Sequence, residues 1–204
     1  MSADVSAAQV KELRQRTQAG VMDAKSALAE AEGDMEKAVD ILRVKGQASA
    51  AKRAGRGTGE GVVAAYIHAN RKIGAMVEVQ CETDFVARNE DFQTFAYEVA
   101  LHVAAGDPSV VSEEDISNEE REAERRLHEQ KARDEGKPDE ILDRIVEGQL
   151  AKWAKDVALL HQQHVNVEKH EGKTIEELRA ALAAKTGENI RIARFARFVV
   201  GQAS

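Results

Sequence analysis

The chain predicts an α+β protein: a small antiparallel sheet backed by helices, a helical module ahead of it, and a helical hairpin protruding from it. Three observations carry this reading. Apolar and polar residues alternate in two runs between residues 62 and 82, the period of paired, half-buried strands. Residues 1–46 and 113–160 repeat apolar residues every three or four positions instead, the period of helices. The composition is 43% hydrophobic, only 4% aromatic and 32% charged, which favours helices packed through Ala, Leu and Val under large solvated faces.

Three helices are expected in residues 1–46. Val10, Leu13 and Arg14 mark the first, which Gly20 breaks. Met22, Ala24, Ala27, Leu28 and Ala31 mark the second, which ends at Gly33. Asp34 is a good N-cap for the third, with Glu36 in its first turn, a stripe of Met35, Ala38, Val39 and Leu42, and Gly46 as its stop. Three short helices bury little, so such a module suits recognition better than scaffolding. Residues 47–61, QASAAKRAGRGTGEG, read as a flexible linker. GRGTGEG lacks both GxGxxG spacing and a Lys-Ser/Thr ending, and it follows no strand, so it is no phosphate loop.

The core domain is expected over 62–204. Strands at 62–70 and 74–82 flank a turn, and Asn89 can cap a helix with Phe92, Phe95, Ala96, Val99 and Val103 on its apolar face, ended by Asp107 and Pro108. The insertion at about 113–160 reads as an antiparallel coiled-coil hairpin. Its first arm is polar nearly all round, with Ala123, Leu127 and Ala132 as a thin seam. Gly136 and Pro138 mark the turn, and the return arm carries Leu142, Ile145, Val146, Leu150, Trp153, Val157 and Leu160. That arm is on the order of 30 Å long. Thr174 and Glu177 form a capping box for a helix stopped by Gly187, and 189–200 reads as a last strand studded with Arg191, Arg194 and Arg197.

Several function classes are disfavoured. A net charge of −7 argues against a nucleic-acid partner, and Lys52, Arg53 and Arg56 are a weak basis for one. The start MSADVSAAQVKEL has no apolar core for a signal peptide, and no apolar run reaches the roughly 18 residues that span a bilayer. The single Cys81 alternates within a strand, fits a buried thiol, and suits a reducing cytoplasm. His161, His164 and His170 are natural candidates for metal ligands, since HQQH spaces two imidazoles at i and i+3. Nothing in the pattern supplies the remaining thiolates or carboxylates of a zinc site, so no metal or other cofactor is expected. No enzyme constellation emerges.

The loop between the second strand and the Asn89 helix places an acid beside an aromatic, Asp84 and Phe85. Two readings are open from spacing alone. Phe85 folds back as a satellite of the core with Asp84 as a helix cap, or the pair is a binding element on a loop pinned by rigid elements.

TDFVARNEDF at 83–92, following VEVQCE, closely resembles the signature of the elongation factor Ts family. The segment 10–46, VKELRQRTQAGVMDAKSALAEAEGDMEKAVDILRVKG, resembles the N-terminal domain of that family, itself similar to ubiquitin-associated modules. EGKPDEILDRIVEGQL at 135–150 resembles its coiled-coil return arm. The resemblance implies a cytoplasmic guanine-nucleotide exchange factor, not an enzyme, that strips GDP from the GTPase elongation factor Tu. It implies docking through Arg14, Val21 and Met22, and a nucleotide-release loop of Thr83, Asp84, Phe85 and Val86. Asp84 and Phe85 would disturb the magnesium and phosphate side of the nucleotide pocket.

Longer family members repeat the sheet-containing half; a single hairpin here resembles the short type and implies pairing of two chains. A sheet of about three strands has two faces and few helices to cover them, so a homodimer is expected, with Phe195 and Phe198 as candidate contacts. The rival reading is a helical adaptor that binds peptides or ubiquitin-like surfaces through residues 1–46.

Overall fold

A computed structural model describes residues 5–17 and 19–202. The first residues of the stretch weighed above as a signal peptide lie outside this range. The N-terminal module comprises α1 (Ala7–Thr17), α2 (Val21–Glu30) and α3 (Met35–Arg53). These close on a small core of Leu13, Ala24, Ala27, Leu28, Ala31, Ala38 and Leu42. Asp34 caps α3 as its pattern suggested, Oδ1 accepting from the N–H groups of Glu36 and Lys37 at 3.0 and 3.1 Å.

Gly46 does not stop α3. The helix continues through the first part of the expected linker to Arg53, leaving six residues, 54–59, before the sheet. One glycine in a helix costs only about 1 kcal/mol, and the Ala- and Lys-rich residues beyond it are good helix formers. Packing supplies the rest: Ala50 is buried in the core of the main body, α3 lies against α9 (Ile175–Thr186), and Arg43 reaches Glu177 at 3.2 Å.

The sheet is antiparallel in the order β1 (Glu60–Ile67), β2 (Ile73–Cys81), β3 (Arg191–Val199). Val62 pairs with Val79 and Val77 with Phe195, and a bulge interrupts the β2–β3 register at Glu78/Val79. Gly61, assigned to the linker by sequence, is the second residue of β1. A Cβ there would lie 2.2 Å from the Val79 carbonyl oxygen, so close strand approach demands glycine.

One face of the sheet is covered. Ala75, Val77, Val79 and Cys81 pack beneath Phe92, Phe95, Val99 and Val103 of α5 (Glu90–Gly106), with Ile175 of α9 and with Ile190 and Ile192. Burial pushes the Cys81 thiol up to about 11, so it is an inert core group. The opposite face carries exposed Val63, Ile67, Met76, Phe198 and Val200.

After α5, a 3₁₀ turn at Glu113–Asp115 leads to α6 (Asn118–Asp134), capped by a box of Ser117 and Glu120. A turn through Gly136 returns the chain as α7 (Asp139–Val157), which packs on α6 around Ala132, Leu142, Val146 and Leu150. Only one of the three expected seam residues of α6 is in place. Ala132 is buried, but Ala123 is exposed and Leu127 is 60% exposed. Stepping back from Ala132 by the 3.6-residue period lands on His128, Glu124 or Arg125, and Arg121, all half-buried; Leu127 falls off that face. The seam of α6 is therefore built from stems of charged residues, which cover apolar surface while their ends stay in water. A 3₁₀ turn at Leu159–His161 and the short α8 (Val167–His170) lead into α9, whose capping box is Thr174 with Glu177. Among the described residues, no helix is long and apolar enough to cross a membrane.

Candidate partner-binding site

β2 ends at Cys81, and the segment expected as a loop is a one-turn helix, α4 (Asp84–Ala87), running into Asn89, the N-cap of α5. Thr83 rather than Asp84 is the N-cap of α4. Helix periodicity then sorts the side chains. Ala87 is buried and Val86 packs half-buried on the main core, so this face anchors the turn. Phe85 points the other way and is 83% exposed, which removes the core-satellite reading. Asp84 sits beside it, half-exposed, with an ion pair to Arg88 at 3.0 Å.

The turn is held from β2 and from the approach to β3. The Glu188 carboxylate accepts from the N–H groups of Glu82 (3.0 Å) and Thr83 (3.1 Å) and from the Thr83 hydroxyl (2.6 Å). In return, the Glu82 carboxylate accepts from the Asn189 N–H at 2.6 Å, chiefly for which reason its pKa lies below the ordinary glutamate value. Of the four expected loop residues, Phe85 faces solvent with Asp84 half-exposed beside it, Val86 packs on the core, and Thr83, though exposed, braces the turn through its hydrogen bonds to Glu188. The sequence reading missed Glu82, Glu188 and Asn189. Two polar residues after the Gly187 helix stop were a hint, but their partner strand lies about a hundred residues away.

Arg14, Val21 and Met22 form a second exposed group. The Arg14 guanidinium donates to the Ala19 carbonyl at 3.2 Å, bracing the connection before α2, and Met22 at the start of α2 is 75% exposed. Phe195 and Phe198 do not share a face. Strand side chains alternate, so residues three apart point oppositely. Phe195 packs against the core and is corrected as a candidate contact; Phe198, 62% exposed, lies on the uncovered face.

The three histidines also separate. His161 pairs with Glu113 at 3.0 Å. His170 Nε2 hydrogen-bonds a Glu98 carboxylate oxygen at 3.3 Å, and His164 Nε2 hydrogen-bonds the Glu98 main-chain carbonyl at 3.3 Å while lying 3.3 Å from that same carboxylate oxygen, so α5 supplies the carboxylate that the sequence pattern lacked. These atoms lie within 4.8 Å of one another, a spacing compatible with a cation. Proton bookkeeping argues otherwise. The Asn166 N–H donates to His164 Nδ1 at 3.1 Å, which puts the proton of a neutral ring on Nε2, the atom that a metal would need free. Burial, the largest influence, holds His164 below the ordinary histidine value and so keeps that ring neutral. The group is a hydrogen-bonded clamp between α5 and the 164–170 segment.

A family profile described as "Elongation factor TS" matches residues 4–171, which include the α1–α3 module and the Asp84–Phe85 turn. The chain belongs to the elongation factor Ts family. An elongation factor Ts from Caldanaerobacter subterraneus subsp. tengcongensis is 51% identical over 97% of this chain and 98% of its own length. Others similar to it come from Geobacter metallireducens, 50% identical over 97% of this chain and 90% of that protein, and Thermosipho melanesiensis, 46% identical over 97% and 100%. These alignments extend past the profile match, so the chain resembles these relatives over nearly all of its length.

Proposed function

We propose that this chain is a guanine-nucleotide exchange factor that binds the GTPase elongation factor Tu in the cytoplasm and promotes GDP release during translation elongation. The observation that carries this reading is the solvent-facing Phe85 beside Asp84 on a braced helical turn. Exposing a phenylalanine is unfavourable by roughly 1.5–3 kcal/mol relative to burying it, so its position is best explained by a partner that covers it. In the complex the ring acts as a wedge, displacing a segment that organises the magnesium ion. The Asp84 carboxylate raises the electrostatic energy of the bound magnesium–diphosphate. No covalent bond changes. A factor that holds the nucleotide-free GTPase more tightly must, by reciprocity, weaken its hold on GDP.

Arg14, Val21 and Met22 of the ubiquitin-associated-like module dock on the GTPase and bring the wedge to its target. The α6–α7 hairpin acts as a coiled-coil arm. The uncovered sheet face, with Phe198, Ile67 and Met76, is closed by a second copy of the chain in an isologous dimer. The deciding test is stopped-flow release of a fluorescent GDP analogue from purified elongation factor Tu. Acceleration by substoichiometric amounts of this chain is the expected outcome. Release at the intrinsic rate, with or without the chain, would defeat the reading.

A further inference from the structure

Four consecutive-pair residues from distant parts of the chain lock together beside the wedge. Glu82–Thr83 leave β2, and Glu188–Asn189 lead into β3. Each pair offers a carboxylate to the backbone of the other: Glu188 takes the N–H groups of Glu82 and Thr83, and Glu82 takes that of Asn189. The Thr83 hydroxyl adds a third donor to Glu188, at 2.6 Å. The lock reaches one step further. Asn189 is almost wholly buried, and its Nδ2 donates to the carbonyls of Ala54 (3.3 Å) and Arg56 (2.9 Å), in the short connection that follows α3. Arg56 in turn contacts the Glu82 carboxylate at 3.3 Å.

Val86 and Ala87 already fasten the turn to the core through apolar contact. What the polar lock adds is orientation. Hydrogen bonds to an ionised acceptor are directional and stronger than neutral ones, and three of them converge on one carboxylate immediately ahead of α4. They fix the backbone at Glu82 and Thr83, from which the Asp84–Phe85 direction follows. Through Asn189, the same corner is tied to the end of the helix that carries the N-terminal module.

We infer that Glu188 and Asn189 are positioning residues for nucleotide release: they set the angle of the Phe85 wedge relative to the docking module without touching the GTPase. This rests on the exchange reading given above. The effect falls on the maximal release rate, because docking through Arg14, Val21 and Met22 is left intact while the wedge arrives misaimed. Small misplacements of a working group cost up to about a hundredfold in rate.

The test compares wild type, Glu188→Ala, Glu188→Gln and Thr83→Val in the full chain. GDP release from elongation factor Tu is followed at increasing factor concentration, alongside amide hydrogen exchange of each free variant. Glu188→Ala is expected to lower the maximal rate on the order of tenfold, with an unchanged half-saturating concentration. Its hydrogen exchange should rise at residues 82–87 and stay slow in β2. Glu188→Gln keeps the shape and one acceptor and should recover part of the rate; it also serves where the alanine variant folds poorly. Thr83→Val combined with Glu188→Ala should be non-additive, since both remove one shared contact.

A Glu188→Ala protein that reaches the wild-type maximal rate overturns the inference, as does a loss confined to half-saturation or a rise in exchange across the whole sheet. Wild type that leaves GDP release at its intrinsic rate would bring down the exchange reading and this inference together. Acceleration by wild type with an unimpaired Glu188→Ala brings down the positioning role alone.

Discussion

Phe85 and Phe92 lie seven residues apart on consecutive helical turns and meet opposite fates. Phe92, on α5, is fully buried beneath the sheet; Phe85, on α4, stands 83% exposed. The same side chain does different work because the backbone aims it differently. The covered face of the sheet captures Val86, Ala87, Phe92 and Phe95, and with those in place Phe85 has nowhere inward to go. A segment can thus carry strong core-forming residues and an exposed aromatic side by side, provided that the first hold the second rigid. On the proposed exchange reading, Phe92 serves stability and Phe85 serves nucleotide release, and mutation should separate the two.

The largest contrast comes from truncating each ring. Phe92→Ala should cost roughly 3–5 kcal/mol of unfolding free energy, seen as early thermal or denaturant unfolding. Phe85→Ala should leave unfolding nearly unchanged. In stopped-flow assays it should slow GDP release by on the order of a hundredfold, equivalent to about 3 kcal/mol in the barrier. A Phe85→Ala protein that unfolds early, or that melts normally and exchanges at the parent rate, would break the comparison. Asp84→Asn should be milder in the same assay, because the charge is lost and the shape retained. It also dissolves the ion pair to Arg88, but exposed pairs contribute only about 0–1 kcal/mol, so its melting should hardly move.

The two faces of the sheet repeat this contrast on a larger scale. Phe195 faces the core and Phe198 the uncovered side, so Phe195→Ala should destabilise the fold, whereas Phe198→Asp should act on association. Sedimentation at micromolar concentration is expected to give a dimer for the parent and a monomer for Phe198→Asp. A monomeric parent would remove the dimer proposal. In the hairpin, Leu150→Ala should cost roughly 2–5 kcal/mol of stability, while Leu127→Gln, off the seam, should stay within about 0.5 kcal/mol.

What the sequence made legible follows from locality. The Asp34 and Asn89 caps, the Thr174–Glu177 box, the strand alternation and the Phe92 stripe all depend on neighbours a few residues away, and they appear where their patterns placed them. The errors occur where distant packing overrides a local cue. Gly46 reads as a stop, but Ala50 is wanted in the core of the main body and the helix continues. Leu127 is the largest apolar residue on its arm, yet the phase of the seam is set by Ala132 against Leu142 and Leu150. Phe195 and Phe198 were grouped by chemistry although period 2 divides them. At the site, the Asp84–Phe85 pair was visible, while its Glu188 brace was not, since only β2–β3 pairing brings residues 82 and 188 together.

The mildest perturbation concerns acid, and it acts where α5 meets the segment after the hairpin. His102 and His164 are both buried against the segment after the hairpin, with His102 Nδ1 accepting from the Val165 N–H at 3.1 Å and its Nε2 facing Gln162 at 2.8 Å. Burial is the leading cause that holds each ring below the ordinary histidine value of 6.5. Burial also acts to raise Glu98, but Lys169 and His170 outweigh it, and the carboxyl sits below its ordinary 4.5. The signs agree. A histidine whose folded pKa is depressed takes up its proton more readily when unfolded, so its contribution is full above 6.5 and is lost as pH falls through that value toward the lower folded one. The Glu98 contribution is lost further down, as pH falls below 4.5 through its depressed folded value. Melting temperature should therefore be level from pH 8 to 7, decline as the medium passes below 6.5, and decline again below 4.5. Replacing His102 by Gln, which keeps a side-chain polar group but cannot take up the proton, should reduce the first decline and leave the part due to His164. A profile level between pH 7.5 and 5, or a first decline unchanged in that variant, would show that these buried histidines do not set the acid response.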